Sequence, residues 1–434
     1  MRFEESLSWL YGFERFGIKL GLERISYIAE KLGNLQKNYK IVHVAGTNGK
    51  GSVCKFLASI LTSGGYKVGV YLSPHLQRFS ERIMVDNREI SEDELVSLID
   101  KIKPIVDEMI KKEDTPTFFE IVTALAFQYF SDKEVDFAVV EVGLGGKYDA
   151  TNIVNPMVSV ITNISLEHTD ILGKTIKDIS LQKAGIIKNN VAVVTAVKGD
   201  ALRVIKNVAK ERDISVIVID EKRWKRVSCN LDGQEFVIKG DLTDYFVKTS
   251  MLGKHQGENI AITVASVENL QMNGVYIPEM SIIDGIAKAT NSGRLEIVKH
   301  EPIVLLDGAH NPDGMKTLRT TLDEDFDYDK LILVLGILSD KDIPSMLSTI
   351  VPVADIIVVT KSHNSRACEP SKLKEMIEKS GYKKKVIVKD QISAAVEYAE
   401  SIAKKKDLIC VTGSLFTVGE AREYILKNPQ KYYR

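Results

Sequence analysis

The sequence predicts an α/β protein of two domains. The first is a doubly wound, mostly parallel sheet that carries a P-loop and edge hairpins, and a smaller Rossmann-like α/β domain follows it. Three observations predict this. Short Val/Ile-rich runs alternate with helical-period segments in both halves of the chain, as in parallel sheets covered on both faces. A glycine-rich turn, "HVAGTNGKGSV" at residues 43–53, joins one such run to the next helix. The chain's 434 residues exceed what one ordinary core serves.

Taken in order, the apolar runs of the first half lie at residues 39–46, 66–73, 136–143, 157–164, 191–196 and 214–219. Between residues 227 and 250 the pattern changes to alternation around "LDG" and "KGD", which predicts hairpins at the sheet's edge. Helical period returns in "HQGENIAITVASVENL". The stretch 291–302 reads as a linker, and five further strands follow: "IVLLDGAH", "KLILVLGI", "DIIVVT", "KKVIVKD" and "DLICVTGS". The expected division is residues 1–293 and 294–434, with no internal repeat and no low-complexity segment. Open parallel sheets bind ligands beyond the carboxyl ends of their strands, so the expected site is a cleft between the domains.

Composition removes several function classes. Lysine plus arginine (58) nearly balances aspartate plus glutamate (59), and the charges are dispersed, so no electrostatic footprint for nucleic acid or an anionic membrane is expected. Cys54, Cys229, Cys368 and Cys410 lie far apart without paired spacing, which argues against a zinc site or a disulfide framework. The opening residues lack the unbroken apolar stretch of a signal peptide, and no run is long enough to span a bilayer. A soluble, cytoplasmic protein is expected, with a monomer as the default.

The glycine-rich turn carries the main chemical signal. Backbone N–H groups of such a turn at a helix N-terminus converge on one spot, where a lysine helps them cradle a phosphate chain and a serine hydroxyl reaches its magnesium. Gly46, Gly49, Lys50, Gly51 and Ser52 are the right residue types, with Thr47 and Asn48 between them. The match to the general P-loop is imperfect, because Val44 stands where the first glycine is expected and Gly51 separates Lys50 from Ser52. A tight strand-to-helix turn without nucleotide is the competing reading.

Magnesium prefers oxygen ligands, and candidates stand at three successive strand ends: Ser73, Glu141 and His168. Each also has a plain structural reading, as a turn former, an acid meeting an arginine and a helix cap. Lys183 lies on a helix among small and apolar residues, so it reads as either a buried salt-bridge partner or a neutral amine able to add carbon dioxide. In the second half, "LLDGAHNPDGM" presents Asp307, His310 and Asn311, while Arg294 stands at the linker and Asn259 at a helix start. Asp307 suits either a helix cap or a ligand contact.

Together these residues resemble the folylpolyglutamate synthase/dihydrofolate synthase family of the Mur ligase superfamily. The likeness runs through "FGIKLGLERI", "HVAGTNGKGSV", "SPHLQRFSERI", "TFFEIVTALAFQYF", "EVGLGGKYDATN", "SLEHTDILGKTIKDISLQKAGIIK", "HQGEN", "GRLEIV", "DGAHNP", "SRACEP" and "GSLFTVGEAR", in the family's order. It also accounts for the irregular loop, since Gly-Thr-Asn-Gly-Lys-Gly-Ser is the family's own version. The sequence departs from many relatives at Lys147 and Tyr148, and at Glu167 where aspartate is common.

The resemblance implies an ATP-dependent ligase with two Mg2+ sites that extends reduced folate by L-glutamate through an acyl phosphate. It implies that Gly46, Thr47, Asn48, Gly49, Lys50, Gly51 and Ser52 hold the phosphates. Ser52, Ser73 and Glu141 would bind the ATP magnesium, and Glu141, His168 and a carbamylated Lys183 the second. Asn259, Arg294 and Asp307 are the implied further ATP contacts, with His310 placing the γ-phosphate or glutamate. Lys50, Lys183, His168, Asp307 and His310 form the implied catalytic set, and His75, Gln77, Arg78 and Arg82 the folate contacts. The sister reaction, dihydropteroate plus glutamate, stays open alone or in addition, as does a nucleotide-binding regulator without ligase chemistry. A peptidoglycan Mur ligase is disfavoured, since the loop begins near His43 and leaves no room for a preceding UDP-binding domain.

Overall fold

The computed structural model describes residues 2–427, which divide into two compact units. The first comprises the residues up to Lys225 with Phe236–Lys248 and Gly257–Ala289. The second comprises Arg226–Glu235, Thr249–Gln256 and the residues from Thr290 onward. Two short stretches thus cluster with the second unit although they precede the boundary expected at residue 293.

The first unit is built on β1 (Lys40–Ala45), β2 (Val68–Tyr71), β3 (Ile83–Val85), β4 (Arg88–Glu89), β5 (Phe137–Glu141), β6 (Val158–Ile161), β7 (Val193–Thr195) and β8 (Val216–Val218). They form one sheet in the order β4-β3-β2-β5-β1-β6-β7-β8. All six apolar runs became its parallel strands, with β1 between β5 and β6. The antiparallel edge, β3 and β4, arises from "RIMVDNREI", which the sequence reading left without a strand. The pair is only two to three residues long per strand, too short to show a period.

The alternating region forms β9 (Trp224–Asn230), β10 (Gly233–Lys239) and β11 (Asp244–Thr249), a separate three-stranded sheet in the order β11-β10-β9. This corrects the expectation that these hairpins extend the large sheet. Buried Glu268, on the helix Gln256–Met272, anchors the β10–β11 turn. It accepts the backbone N–H of Asp241 at 2.6 Å and of Leu242 at 3.1 Å, and the Tyr245 hydroxyl at 3.0 Å.

The second unit's main sheet contains β12 (Glu296–His300), β13 (Ile303–Asp307), β14 (Leu331–Leu335), β15 (Ile356–Val359), β16 (Lys385–Val388) and β17 (Leu408–Thr412). Its order is β12-β13-β17-β14-β15-β16, parallel except for β12. The five expected strands are present. The linker supplies a sixth, because "LEIVKH" pairs antiparallel with β13 after the positive φ of Leu295 turns the chain.

Packing explains why the large sheet is so apolar. The helix Phe118–Asp132 is buried along nearly its whole length, and Thr117 caps it by accepting Glu120 N–H while the Glu120 carboxylate returns to Thr117 N–H at 2.7 Å. Its Phe130 packs against Gly69 of β2, where an added Cβ would sit 2.6 Å from the ring. We predict that Gly69→Ala lowers stability by about 1–3 kcal/mol through overpacking. Thermal unfolding checks this. Adding Phe130→Leu to that variant should cost less than it does in the parent chain, and strictly additive losses would refute the contact.

Candidate functional site

The glycine-rich loop leaves the carboxyl end of β1 and enters the helix Lys50–Ser63. Its glycines are required by geometry. Gly46 has φ 148° and a Cβ there would overlap Thr162 Oγ1; Gly49 has φ 83° and a Cβ there would meet Asn259 Oδ1 at 2.6 Å. Asn259, at the start of the helix Gln256–Met272, is therefore seated beside the loop. The strand end after β6 holds the loop from the other side. Thr47 N–H donates to the Asn163 carbonyl at 2.9 Å, Asn48 N–H to Asn163 Oδ1 at 2.8 Å, and Thr162 Oγ1 to the Asn48 carbonyl at 2.6 Å.

Two lysines donate to carbonyls of this loop. Lys50 Nζ reaches the Thr47 carbonyl at 3.0 Å, and Lys183 Nζ the Gly46 carbonyl at 2.7 Å. Lys183 is buried, and burial together with repulsion from Lys50 pushes its ammonium down to about 7, against the opposing pull of Glu167 and Asp149. No salt-bridge partner contacts it among the described residues, so the salt-bridge reading of Lys183 gives way to one in which the amine is held on a backbone oxygen. Ser52, in the first turn of the loop's helix, is buried.

Glu141 ends β5 and is buried, and its Oε2 accepts Ser73 N–H at 3.1 Å, so two of the three strand-end candidates are brought together. His168 lies beyond the end of β6, with its Nε2 3.7 Å from Glu167 Oε1. It occupies the N-cap position of the helix Thr169–Leu172 with φ 50°, yet its side chain makes no capping hydrogen bond, so it is not there as a cap. Among the described residues no three His, Cys, Asp or Glu side chains converge as a metal cluster. The expected ligand set supplies only Glu141 and His168 from those types.

The loop between β2 and β3 separates its four candidates. Arg82 is buried, lies over the Phe118 ring at 5.4 Å and donates from Nε to His75 Nδ1 at 2.8 Å. An accepting Nδ1 requires a neutral ring protonated on Nε2, and burial together with Arg82 pushes His75 down to about 4. Arg78 instead forms an exposed fork on Glu89, with Nη2–Oε1 at 2.6 Å. Gln77 contributes its backbone N–H to Glu81, which also gathers those of Leu76 and Arg78. Behind Arg82, the rings of Tyr11 and Phe118 stack at 5.6 Å and Phe79 meets both edge-on. Sequence reasoning assigned no role to these rings; "TFFEIV" was the only signal of Phe118.

Asp149 is a further organiser whose role was not read from sequence. Fully buried, it accepts Leu144 N–H at 2.8 Å, Thr151 N–H at 3.0 Å and the Thr151 hydroxyl, which also contacts His43 Nε2 at 2.9 Å. This closes the turn that follows Glu141.

In the second unit, Arg294, Asp307 and His310 gather around Gly308. Arg294 Nη1 donates to the Gly308 carbonyl at 3.1 Å, and His310 Nδ1 lies 2.9 Å from the same oxygen, which places that proton on Nδ1. Buried Asp307 accepts Leu295 N–H and Ala309 N–H, each at 3.0 Å; burial raises its carboxyl and Arg294 opposes the rise. Asp307 caps no helix. Asn311 does so, accepting Gly314 N–H at 2.7 Å.

Comparison with known proteins decides the family. Residues 44–267 match the Mur ligase middle domain and residues 293–415 the Mur ligase glutamate ligase domain. The dihydrofolate synthase/folylpolyglutamate synthase of Bacillus subtilis is 35% identical, over 97% of this chain and 98% of that one. The chain belongs to the folylpolyglutamate synthase/dihydrofolate synthase family of Mur ligases. Two solved structures agree with this Mur ligase along nearly their whole length. The folylpolyglutamate synthase of Thermotoga maritima has a TM-score of 0.85 at 38% identity, covering 98% of this chain and 97% of that one. That of Mycobacterium tuberculosis, complexed with ADP and AMPPCP, has a TM-score of 0.90 at 33% identity, covering 97% and 98%. As a member of this family the Mur ligase is an ATP-dependent, amide-forming enzyme, and the regulator reading falls away. No helix among its described residues is long and apolar enough to cross a membrane.

Two predictions follow from this geometry. Gly46→Ala, which has neither space nor a relaxed backbone, should weaken ATP-analogue binding at least tenfold in calorimetry; binding at parental strength would refute the tight loop. His75 should stay neutral at pH 6 and titrate near pH 4 by NMR. Because its folded value is depressed, it stabilises the fold fully above the unfolded value of about 6.5, and that contribution is lost as pH falls toward 4. Titration near 6.5 would contradict the Arg82–His75 bond.

Proposed function

We propose that this Mur ligase adds L-glutamate to the γ-carboxylate of a reduced folate, using ATP, through an acyl phosphate. The observation that supports this most is the phosphate loop with two lysines on its carbonyls, in a chain matched end to end by folylpolyglutamate synthases. A carboxylate is a poor electrophile until one oxygen becomes a phosphate leaving group. Phosphoryl transfer itself asks mainly for alignment and charge neutralisation.

In this reading residues 46–52 hold the triphosphate by backbone N–H groups, with Lys50 turning from the Thr47 carbonyl to the phosphates. Asn259, Arg294 and Asp307 make further ATP contacts, and His310 places the γ-phosphate or the incoming glutamate. Of the folate candidates, the half-buried His75 and the buried Arg82 against the Tyr11–Phe79–Phe118 rings suit an aromatic, anionic substrate better than Arg78, whose charge Glu89 already answers.

The donors also suit magnesium. Ser73 and the buried Glu141 carboxylate stand together at neighbouring strand ends, and they and Ser52 offer hard oxygens. Glu141, His168 and Lys183 would hold a second ion, with Lys183 modified. Its neutral amine adds to carbon dioxide, forming an N–C bond and releasing one proton, and so becomes an anionic oxygen ligand. When bound, the ions neutralise charge on the phosphates and the acyl phosphate. The protein is further proposed to act as a cytoplasmic monomer.

A second reading adds dihydropteroate as an acceptor, favoured by the joined name of the Bacillus subtilis relative. The deciding experiment is glutamate-dependent phosphate release with Mg-ATP, offering tetrahydrofolate or dihydropteroate and confirming products by mass. Turnover with the first alone makes a dedicated polyglutamate synthase and turnover with both a bifunctional enzyme; silence with both refutes the proposal. For Lys183, 13C-bicarbonate should yield a carbamate resonance that Lys183→Ala abolishes. That variant should lose at least a hundredfold in kcat and regain part of it with short carboxylic acids, whereas a full-rate variant would remove Lys183 from the site.

A further inference from the structure

A cleft of about 540 Å³ opens in the first unit, lined by Asn155, Lys188, Asn189 and Arg212 among others. It lies at the opposite end of the sheet from the phosphate loop. Asn155 precedes β6 and Val191, also on its wall, precedes β7, whereas the loop follows the carboxyl end of β1, a strand parallel to β6. Lys188 Nζ donates to the Asn152 carbonyl at 3.0 Å, and Arg212 Nη1 donates to the carbonyl of Ile187. Each cation is thus anchored by a single backbone oxygen and retains further donors.

No carboxylate lines the cleft, and among the described residues neither cation forms an ion pair. Half-buried Lys188 and exposed Arg212 therefore put two like charges on one concave wall, an arrangement that an anion between them would relieve. Burial and the neighbouring Arg212 both push the Lys188 ammonium down, as that crowding requires. The guanidinium supplies a planar fork and the ammonium a point charge, the pairing that oxygen-rich anions favour over neutral ligands.

We propose that this cleft binds an oxyanion group, phosphate or carboxylate, between Lys188 and Arg212, apart from the nucleotide site. The group's two natural sources are free phosphate and the carboxylates of a γ-linked glutamate chain. Equilibrium dialysis of the whole protein, with its nucleotide site saturated by a non-hydrolysable ATP analogue, tests this with labelled inorganic phosphate and with tri-γ-glutamate as probes. Saturable binding of one probe is expected, at least tenfold weaker in the Lys188→Gln/Arg212→Gln double variant, and the tighter probe identifies the source. Each single variant should weaken it at least threefold, which keeps the test decisive if the double variant folds poorly by circular dichroism. Absence of saturable binding for both probes, or binding unchanged in the variants, overturns the proposal.

Discussion

The structure depends on a loop that has no room for a side chain at Gly46 or Gly49 and already carries two lysines on its carbonyl oxygens. Gly46 is pressed against Thr162 and Gly49 against Asn259, so the end of β6, beside β1 in the sheet, and a helix more than 200 residues later both define where the loop's N–H groups point. Asn163 binds the loop through its carbonyl and its side chain, which ties the turn to the end of β6. Because β1 lies between β5 and β6, the strand ends that carry Glu141 and, farther on, His168 flank the loop by construction. The parallel sheet is thus the device that converts three separate sequence motifs into one neighbourhood.

Much of this was legible in the sequence because buried parallel strands are read from apolar composition. Residues 41–46 or 331–335 have few alternatives when every position is buried. The short edge strands escaped for the converse reason: Arg88–Glu89 is polar and two residues long. Alternation between residues 227 and 250 revealed strands but not their sheet, since period two says which face is buried and nothing about which neighbour accepts the hydrogen bonds. At the site, the Ser73–Glu141 pairing followed from strand-end topology. Distinguishing Arg78 from Arg82 did not, because the decision rests on Tyr11 and Phe118, rings from distant helices that bury one arginine and leave the other to Glu89.

A recurring device holds the polar turns: a poorly solvated carboxylate that gathers backbone N–H groups. Glu81 does this in the β2–β3 loop, Asp149 after β5, Glu268 at the β10–β11 turn and Asp307 after β13. Desolvating a carboxylate is costly, and two or three charge-assisted bonds offset that cost while fixing turns that lack a regular ladder. Asp307 shows why sequence left such residues ambiguous. An acid before a helix reads as a cap, yet here Asn311 satisfies the helix and frees Asp307 to join β12's start to the Gly308 turn.

The resting positions of the lysines bear on how such a ligase discriminates between empty and loaded states. Lys50 and Lys183 each hold a neutral carbonyl, a bond worth about 1 kcal/mol net, and hydrogen bonds between charged groups are worth roughly twice as much. In the proposed reading, moving the Lys50 ammonium from its carbonyl to a phosphate oxygen therefore gains energy without first exposing an unpaired charge. Repulsion from Lys50 is one cause of the depressed Lys183 ammonium, so the buried amine is held toward the neutral form that the proposed carbamate requires. In the proposed reading Lys50 is thus satisfied while the loop is empty and favours an anion when one arrives, because a carbonyl satisfies it only weakly.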